Sequence, residues 1–380
     1  MKNVYLLGGL RSHIGVKNKM FKNIAAEDLG AAVLSAVCEK FSVGHPDWVV
    51  GGNAVGSGGN ITRLAMLKAG LPDSVPAFTV DSQCGSGLQA ILTAVSAIAA
   101  GQADAVLAGG MESSSTQPLR QYPANHPLHD PENPCYTVAA FSPETNSETA
   151  MLEGAERVAE QEHMHRDELD ACCLRSHERA KQAKEQQLLS DMILSVAGSV
   201  RDEGIRETMR PELLAKARPI LNGGTHITSA NACGMHDGAA FVVLCSESYA
   251  HRQGLSPCAE IIGSSFVGGT PGESPRMAVE SLERLCGACG IAAESLDAIE
   301  LNEAFAVISV LFQRKYPQKV PQYNRLGGAL AYGHPYGASG GVLLLHLLRS
   351  LQLCRGTYGA CGIAAAGGLG TALLVRRLPS

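Results

Sequence analysis

Aromatic and charged side chains are both scarce in this chain, at 5% and 18% of its 380 residues, and tryptophan occurs once. A chain this poor in charge does not have the composition of a disordered one. A basic surplus is missing too, since the net charge is −5 and the pI about 6.2. A nucleic-acid protein needs basic surface to displace phosphate counterions, so that class is set aside. A small basic patch for a phosphorylated ligand stays open. No apolar run approaches the length of about eighteen residues that a membrane span requires. The 12 cysteines form no dense, short disulfide framework. Cys286 and Cys289 make one CxxC, without the second pair of a zinc ribbon. The opening MKNVYLLGGLRSHIG has no apolar stretch followed by a cleavage site, and the tail RRLPS is not a peroxisomal address. A reducing cytoplasm is the expected compartment.

What the chain has in quantity is apolar residues (45%) and glycine (42). That balance suits buried parallel strands, tightly packed Ala/Gly helices and many backbone turns. At roughly 150 residues per domain, two or three domains are expected. Residues 2–8 and AFTVDSQ read as strands, LGAAVLSAVCEKF as an amphipathic helix, and VVGGNAVGSGGN as a strand running into a glycine loop. SGLQAILTAVSAIAAG is apolar on every side and so belongs in a core.

The text changes character from about 115 to 224. Pro118, Pro123, Pro127, Pro131, Pro134 and Pro143 are followed by the charged helical stretch ERVAEQEHMHRDELDACCLRSHERAKQAKEQQ. This reads as an inserted, solvent-facing loop domain. The expected division is 1–114, continued by about 225–247, for an N-terminal half; 115–224 for the loop domain; and 248–380 for a C-terminal half. The two halves share a grammar. Each sets a glycine-rich turn directly before an apolar helix, QCGSGLQAI in one and GHPYGASGGVLLL in the other, and each closes with an AGG turn. A weak internal duplication with pseudo-twofold α/β layers follows.

Cys84 follows a strand and opens a helix in TVDSQCGSGLQA. The positive end of a helix dipole favours the thiolate that attacks carbonyl carbon, so Cys84 is a candidate nucleophile. A buried structural cysteine is the plain alternative. His334, in a glycine loop before Pro335, is a candidate proton acceptor, although loop histidines are often only solvated. Asn302 ends an apolar strand run, where an amide can hold a water or an oxyanion, or simply cap a helix. His163, His165, Cys172 and Cys173 are metal-ligand types. They lie in a charged helix, however, and histidines two apart do not share its face.

The motifs RSHIG, DSQCGSGL, AGGMES, TSANACGMHDGAA, NEAFA and GGALAYGHPYGASG, in this order and spacing, resemble the thiolase family. The resemblance implies a thiolase fold of class α/β: two similar βαβαβαββ halves with an inserted loop domain. It implies a homodimer, with a tetramer left open, and acyl-CoA thioesters as substrates with no permanently bound cofactor or metal. The reaction would form or cleave a carbon–carbon bond of a 3-ketoacyl-CoA. Carried over, Cys84 resembles the acyl-accepting nucleophile, His334 its activator, and Asn302 the residue that positions an oxyanion-hole water. Arg206 resembles a contact to the nucleotide of coenzyme A, while Cys233, Ala304, Phe305 and Gly367 resemble substrate-binding positions.

Two departures stand in SANACGMHD, where the family usually has Ser at Cys233 and Asn at His236. A thiol is a poorer hydrogen-bond partner than a hydroxyl. A larger departure lies near the end. Where thiolases carry a second reactive cysteine, YGACGIAAAGGLG has Ala364, and the first glycine of the turn is Ala366. Cys361 is three residues upstream, an odd offset that puts its side chain on the opposite face of a strand. This fits a bacterial thiolase-like branch lacking that cysteine. Two alternatives stay open: decarboxylative condensation or acyl transfer to another acceptor, and a non-catalytic scaffold.

Overall fold

The computed structural model describes residues 2–143 and 148–379. Residues 144 and 145, the end of the proline-rich stretch, lie outside the described residues. Nine strands form the body of one mixed sheet: β1 (Val4–Ser12), β2 (Trp48–Gly52), β3 (Ala77–Val80), β4 (Ala105–Ser113), β5 (His236–Ser246), β6 (Ala259–Gly268), β7 (Ala298–Leu301), β8 (Tyr358–Ala365) and β9 (Leu369–Arg377). Their spatial order is β7-β8-β9-β6-β1-β5-β4-β2-β3.

The order reads the same from the centre outward. β1 and β6 pair antiparallel at the middle, and each is flanked by an antiparallel neighbour, β5 on one side and β9 on the other. Beyond these, β4 runs parallel to β2, and β8 runs parallel to β7. β3 then extends the first half in parallel. Its counterpart in the second half shrinks to one parallel bridge between Ile299 and Tyr323. The duplication seen in the glycine motifs is thus a duplication of topology.

The helices sort into layers. α1 (Ala26–Phe41) and α2 (Ile61–Lys68) cover the outer face of the first half, and α6 (Met277–Cys289) covers that of the second. α3 (Ser86–Ala99) and α8 (Tyr336–Cys354) touch strands of both halves, so they form the middle layer. Leu88, Ile91, Leu344, Leu347 and Leu351 are buried in that central core. Each such side chain contributes about 1.5–3 kcal/mol through burial. Cys286 lies in the last turn of α6, Cys289 ends it, and Gly290 closes it in a left-handed cap.

α3 and α8 cross at their first turns with backbone against backbone. A Cβ on Gly87 would stand 2.3 Å from the Gly337 carbonyl oxygen. Only glycine permits this approach, and it draws the turn before α3 toward the turn before α8. The loop segment adds a two-stranded ribbon (Arg120–Gln121 with Cys135–Tyr136), α4 (Ala150–Gln161) and α5 (Arg166–Glu185). Cys172 and Cys173 face inward from α5, where Cys173 Sγ donates to the Ala230 carbonyl at 2.8 Å. Neither the adjacent cysteines nor His163 and His165 gather into a ligand cluster among the described residues.

Candidate active site

A cavity of about 710 Å³ opens between the middle layer and the loop segment. Cys84, Cys233, His236, Phe305, Tyr336 and Ala366 line it from the sheet body, while Arg120, Phe141, Met151, Leu152 and Arg206 line it from the loop segment.

Cys84 is half-buried and sits on a tight turn. The Gly85 N–H donates to the Ser82 carbonyl at 3.0 Å, and the Ser86 hydroxyl donates to the Gln83 carbonyl at 2.5 Å. Gln83 is held at φ 50°, a left-handed conformation that a side chain of its size rarely adopts. Burial pushes the Cys84 thiol up to about 12. Two backbone N–H groups, those of Ala366 and of Cys84 itself, point at the sulfur and work against that rise. The helix-dipole argument predicted a thiol biased toward thiolate. In the structure desolvation outweighs these two N–H groups, which favours the neutral thiol.

His334 is buried behind the cavity floor, and Tyr336, which does line the cavity, meets its ring edge-on at 4.8 Å. Burial pulls the imidazole down to about 3, with His236 contributing in the same direction, so the ring is neutral. Its tautomer follows from its neighbours. The single Ser339 hydroxyl proton goes to the Pro335 carbonyl at 2.9 Å, so Ser339 Oγ must accept from His334 Nδ1–H at 2.6 Å. Nε2 therefore carries the lone pair, and Asn302 Nδ2 donates to it at 3.3 Å. That bond is long, and the nitrogen is ready to take a proton. Asn302 caps no helix; α7 (Ala306–Lys315) starts later, with Phe305 at its N-cap.

The remaining expected positions separate. Cys233 and Phe305 line the cavity, and Arg206 is exposed at its mouth. Ala304 does not line it; its carbonyl accepts the Cys233 N–H at 2.9 Å and so holds that loop in place. Gly367 is also absent from the lining, which is formed there by Ala366, its neighbour in the same turn between β8 and β9. Ala364 is buried and Cys361 lies in the central core, outside the cavity lining, opposite Glu300 on β7. The odd offset therefore does put Cys361 on the wrong face.

Sequence reasoning missed the N–H of Ala366 as a participant, because a backbone donor leaves no residue signature. It also missed Glu112 of AGGMES. That buried carboxyl accepts N–H bonds from Ala54, Val55 and Gly337 and ties the N-terminus of α8 to the first half. Burial raises it to about 7. Ser339 of GHPYGAS was legible as a residue but not as the group that sets the tautomer. A neutral thiol, a neutral imidazole whose Nε2 lone pair is held only by a long bond from Asn302, and two N–H donors beside the sulfur can together support attack on an activated carbonyl.

Family models described as the thiolase N-terminal domain and the thiolase C-terminal domain match residues 4–248 and 255–377. The chain is 34% identical to a putative acetyl-CoA C-acetyltransferase of Bacillus subtilis, over 98% of each chain. It is 32% identical to a beta-ketoadipyl-CoA thiolase of Pseudomonas putida, over the whole of both. The crystal structure of the Bacillus anthracis acetyl-CoA acetyltransferase superposes with a TM-score of 0.92 at 30% identity, covering 100% of this chain and 99% of that one.

Proposed function

The chain belongs to the thiolase family, and from that premise we propose that it is an acyl-CoA acyltransferase that forms or cleaves the carbon–carbon bond of a 3-ketoacyl-CoA through an acyl group on Cys84. One observation carries the reading: Cys84 stands on the floor of a cavity of about 710 Å³ with the N–H groups of Ala366 and of its own residue aimed at its sulfur.

In this reading the Cys84 proton moves to Nε2 of His334, and the sulfur attacks the thioester carbon. In this reading the carbonyl oxygen, as it becomes an oxyanion, turns to the two N–H groups beside the sulfur. Coenzyme A leaves as a thiol by taking the proton back from Nε2. Asn302 holds the imidazole in register, and Ser339 keeps its lone pair on the reacting side. The exposed guanidinium of Arg206 at the cavity mouth suits the phosphates of the nucleotide, and Phe305 suits the pantetheine arm. No permanently bound cofactor or metal enters these steps.

A homodimer is part of the proposal. β3 is an edge strand, and Phe78 on it and Leu64 and Leu67 on α2 are exposed apolar residues of the kind that a second copy would cover. Cytoplasmic location also belongs to the proposal; among the described residues no helix is long and apolar enough to cross a membrane. The relatives named above are called acetyltransferases and a thiolase, which does not favour the decarboxylative or scaffold alternatives. The test is thiolysis of acetoacetyl-CoA by free coenzyme A. Turnover by the native chain that vanishes in Cys84→Ala is expected, and no turnover with any 3-ketoacyl-CoA would overturn the reading.

A further inference from the structure

Carbon–carbon chemistry on an acyl-CoA needs a group that removes or returns the α-proton, and Ala364 and the core-facing Cys361 cannot be that group. We propose that His236 is this base: its imidazole exchanges the α-proton of the acyl-CoA substrate through Nε2 at the floor of the Cys84 cavity. The inference rests on the acyltransferase reading above and deepens it.

The other proton-carrying groups of the cavity floor fit the task less well. Burial raises the Cys233 thiol and the Tyr336 phenol, so both stay protonated and neither can act as a base. Glu203 Oε2 is occupied by N–H donors from Val16 and Met20. His236 differs in geometry. Its Nδ1 lies 2.8 Å from the Gly234 carbonyl, which can only accept, so the proton sits on Nδ1 and the lone pair on Nε2. The ring's hydrogen bond to the Gly234 carbonyl is made through Nδ1, which leaves Nε2 for the cavity that the ring lines.

Its position is fixed by the same loop that carries His334. Met235 bridges to His334, and the His236 ring packs so closely on Gly333 that a Cβ there would stand 2.1 Å from its Cδ2. Gly333 also holds φ 105°, a second reason for glycine at that place. Burial lowers the imidazole, with Asp237 and Glu203 opposing and Arg206 assisting, which keeps the base unprotonated before reaction.

In the condensing direction the C2–H bond of a second acyl-CoA breaks, and its proton goes to His236 Nε2. The electron pair left on C2 forms the new bond to the acyl carbon held on Cys84. The C–S bond to Cys84 breaks as the tetrahedral centre collapses, and the departing sulfur receives the proton that His236 took. Cleavage is the same sequence reversed, with His236 returning the proton to C2. No other reactant is needed.

The test separates the two half-reactions. His236→Asn and His236→Gln are each incubated with acetyl-CoA, and the acetyl mass on Cys84 is followed. The same variants are assayed for acetoacetyl-CoA thiolysis and for deuterium uptake at C2 of acetyl-CoA in D₂O. The expected result is acetylation at close to the native rate, with thiolysis and deuterium uptake down by about 10²–10⁴-fold. Thiolysis within tenfold of native in a folded variant would overturn the proposal, as would an equal loss of acetylation and thiolysis. Failure of the native chain to acetylate at Cys84 would instead bring down the acyltransferase reading.

Discussion

Cys84 and His334 sit on corresponding glycine-rich turns ahead of corresponding middle-layer helices, one in each half of the molecule. The thiol end and the imidazole end nevertheless respond to that environment in opposite directions. Burial lifts the thiol to about 12 and drops the imidazole to about 3, so both rest neutral. A duplicated scaffold has therefore produced an uncharged pair rather than a thiolate–imidazolium pair. Burial makes the charged pair costly until a substrate carbonyl and the N–H groups of Ala366 and Cys84 share the new charge.

The comparison can be broken most sharply at the imidazole end. His334→Ala should lower acetoacetyl-CoA thiolysis by about 10²–10⁴-fold, because a thiol at about 12 has no acceptor of its own. Steady-state kinetics check this, and a loss below tenfold would mean that the thiol ionises without help. The thiol end gives a smaller but more direct signal. Since Cys84 stays protonated far above neutrality, its alkylation by iodoacetamide in the free protein should rise about tenfold per pH unit from neutral to strongly alkaline solution, as the thiolate fraction grows. A plateau near neutral pH would show a preformed thiolate and reverse the comparison.

Much of this arrangement was legible in the residues. DSQCGSGL and GHPYGASG each announced a turn before a buried helix, and α3 and α8 begin there. The repeated glycine grammar pointed to a duplication and the family resemblance to paired βαβαβαββ halves; the AGG at 108–110 is strand rather than the turn expected, and nothing in the sequence showed that the fifth strand of the second half would contract to the Ile299–Tyr323 bridge. At the site, Cys84, His334 and Asn302 were readable because their residue types have chemistry of their own. The direction of the thiol shift was not, since a helix terminus is visible in a sequence while the depth of desolvation around it is a property of the assembled layers. Ala366 contributes only its N–H, and Ser339 acts by where its single proton goes; neither fact belongs to a residue type. That Ala366 and not Gly367 lines the cavity has a related reason: the turn's shape decides which residue faces it.

The two sides of the cavity that differ from the family pattern also instruct each other. One is β8, where by the resemblance Ala364 stands in the place of a second reactive cysteine. The other has Cys233 and His236 where the family usually has a hydroxyl and an amide. Ala364 is buried and does not line the cavity, whereas His236 does, so the proposal gives the α-proton task to His236 and links the acyl group on Cys84 to the carbon chemistry that follows it.

The most direct measurement is the intact mass of the protein after incubation with acetyl-CoA, with peptide mapping of the adduct. One acetyl group on Cys84, absent from Cys84→Ala, is the predicted result. Unmodified protein across short and long acyl-CoAs, or an adduct on Cys233 instead, would contradict the claim that this thiol is the acyl carrier.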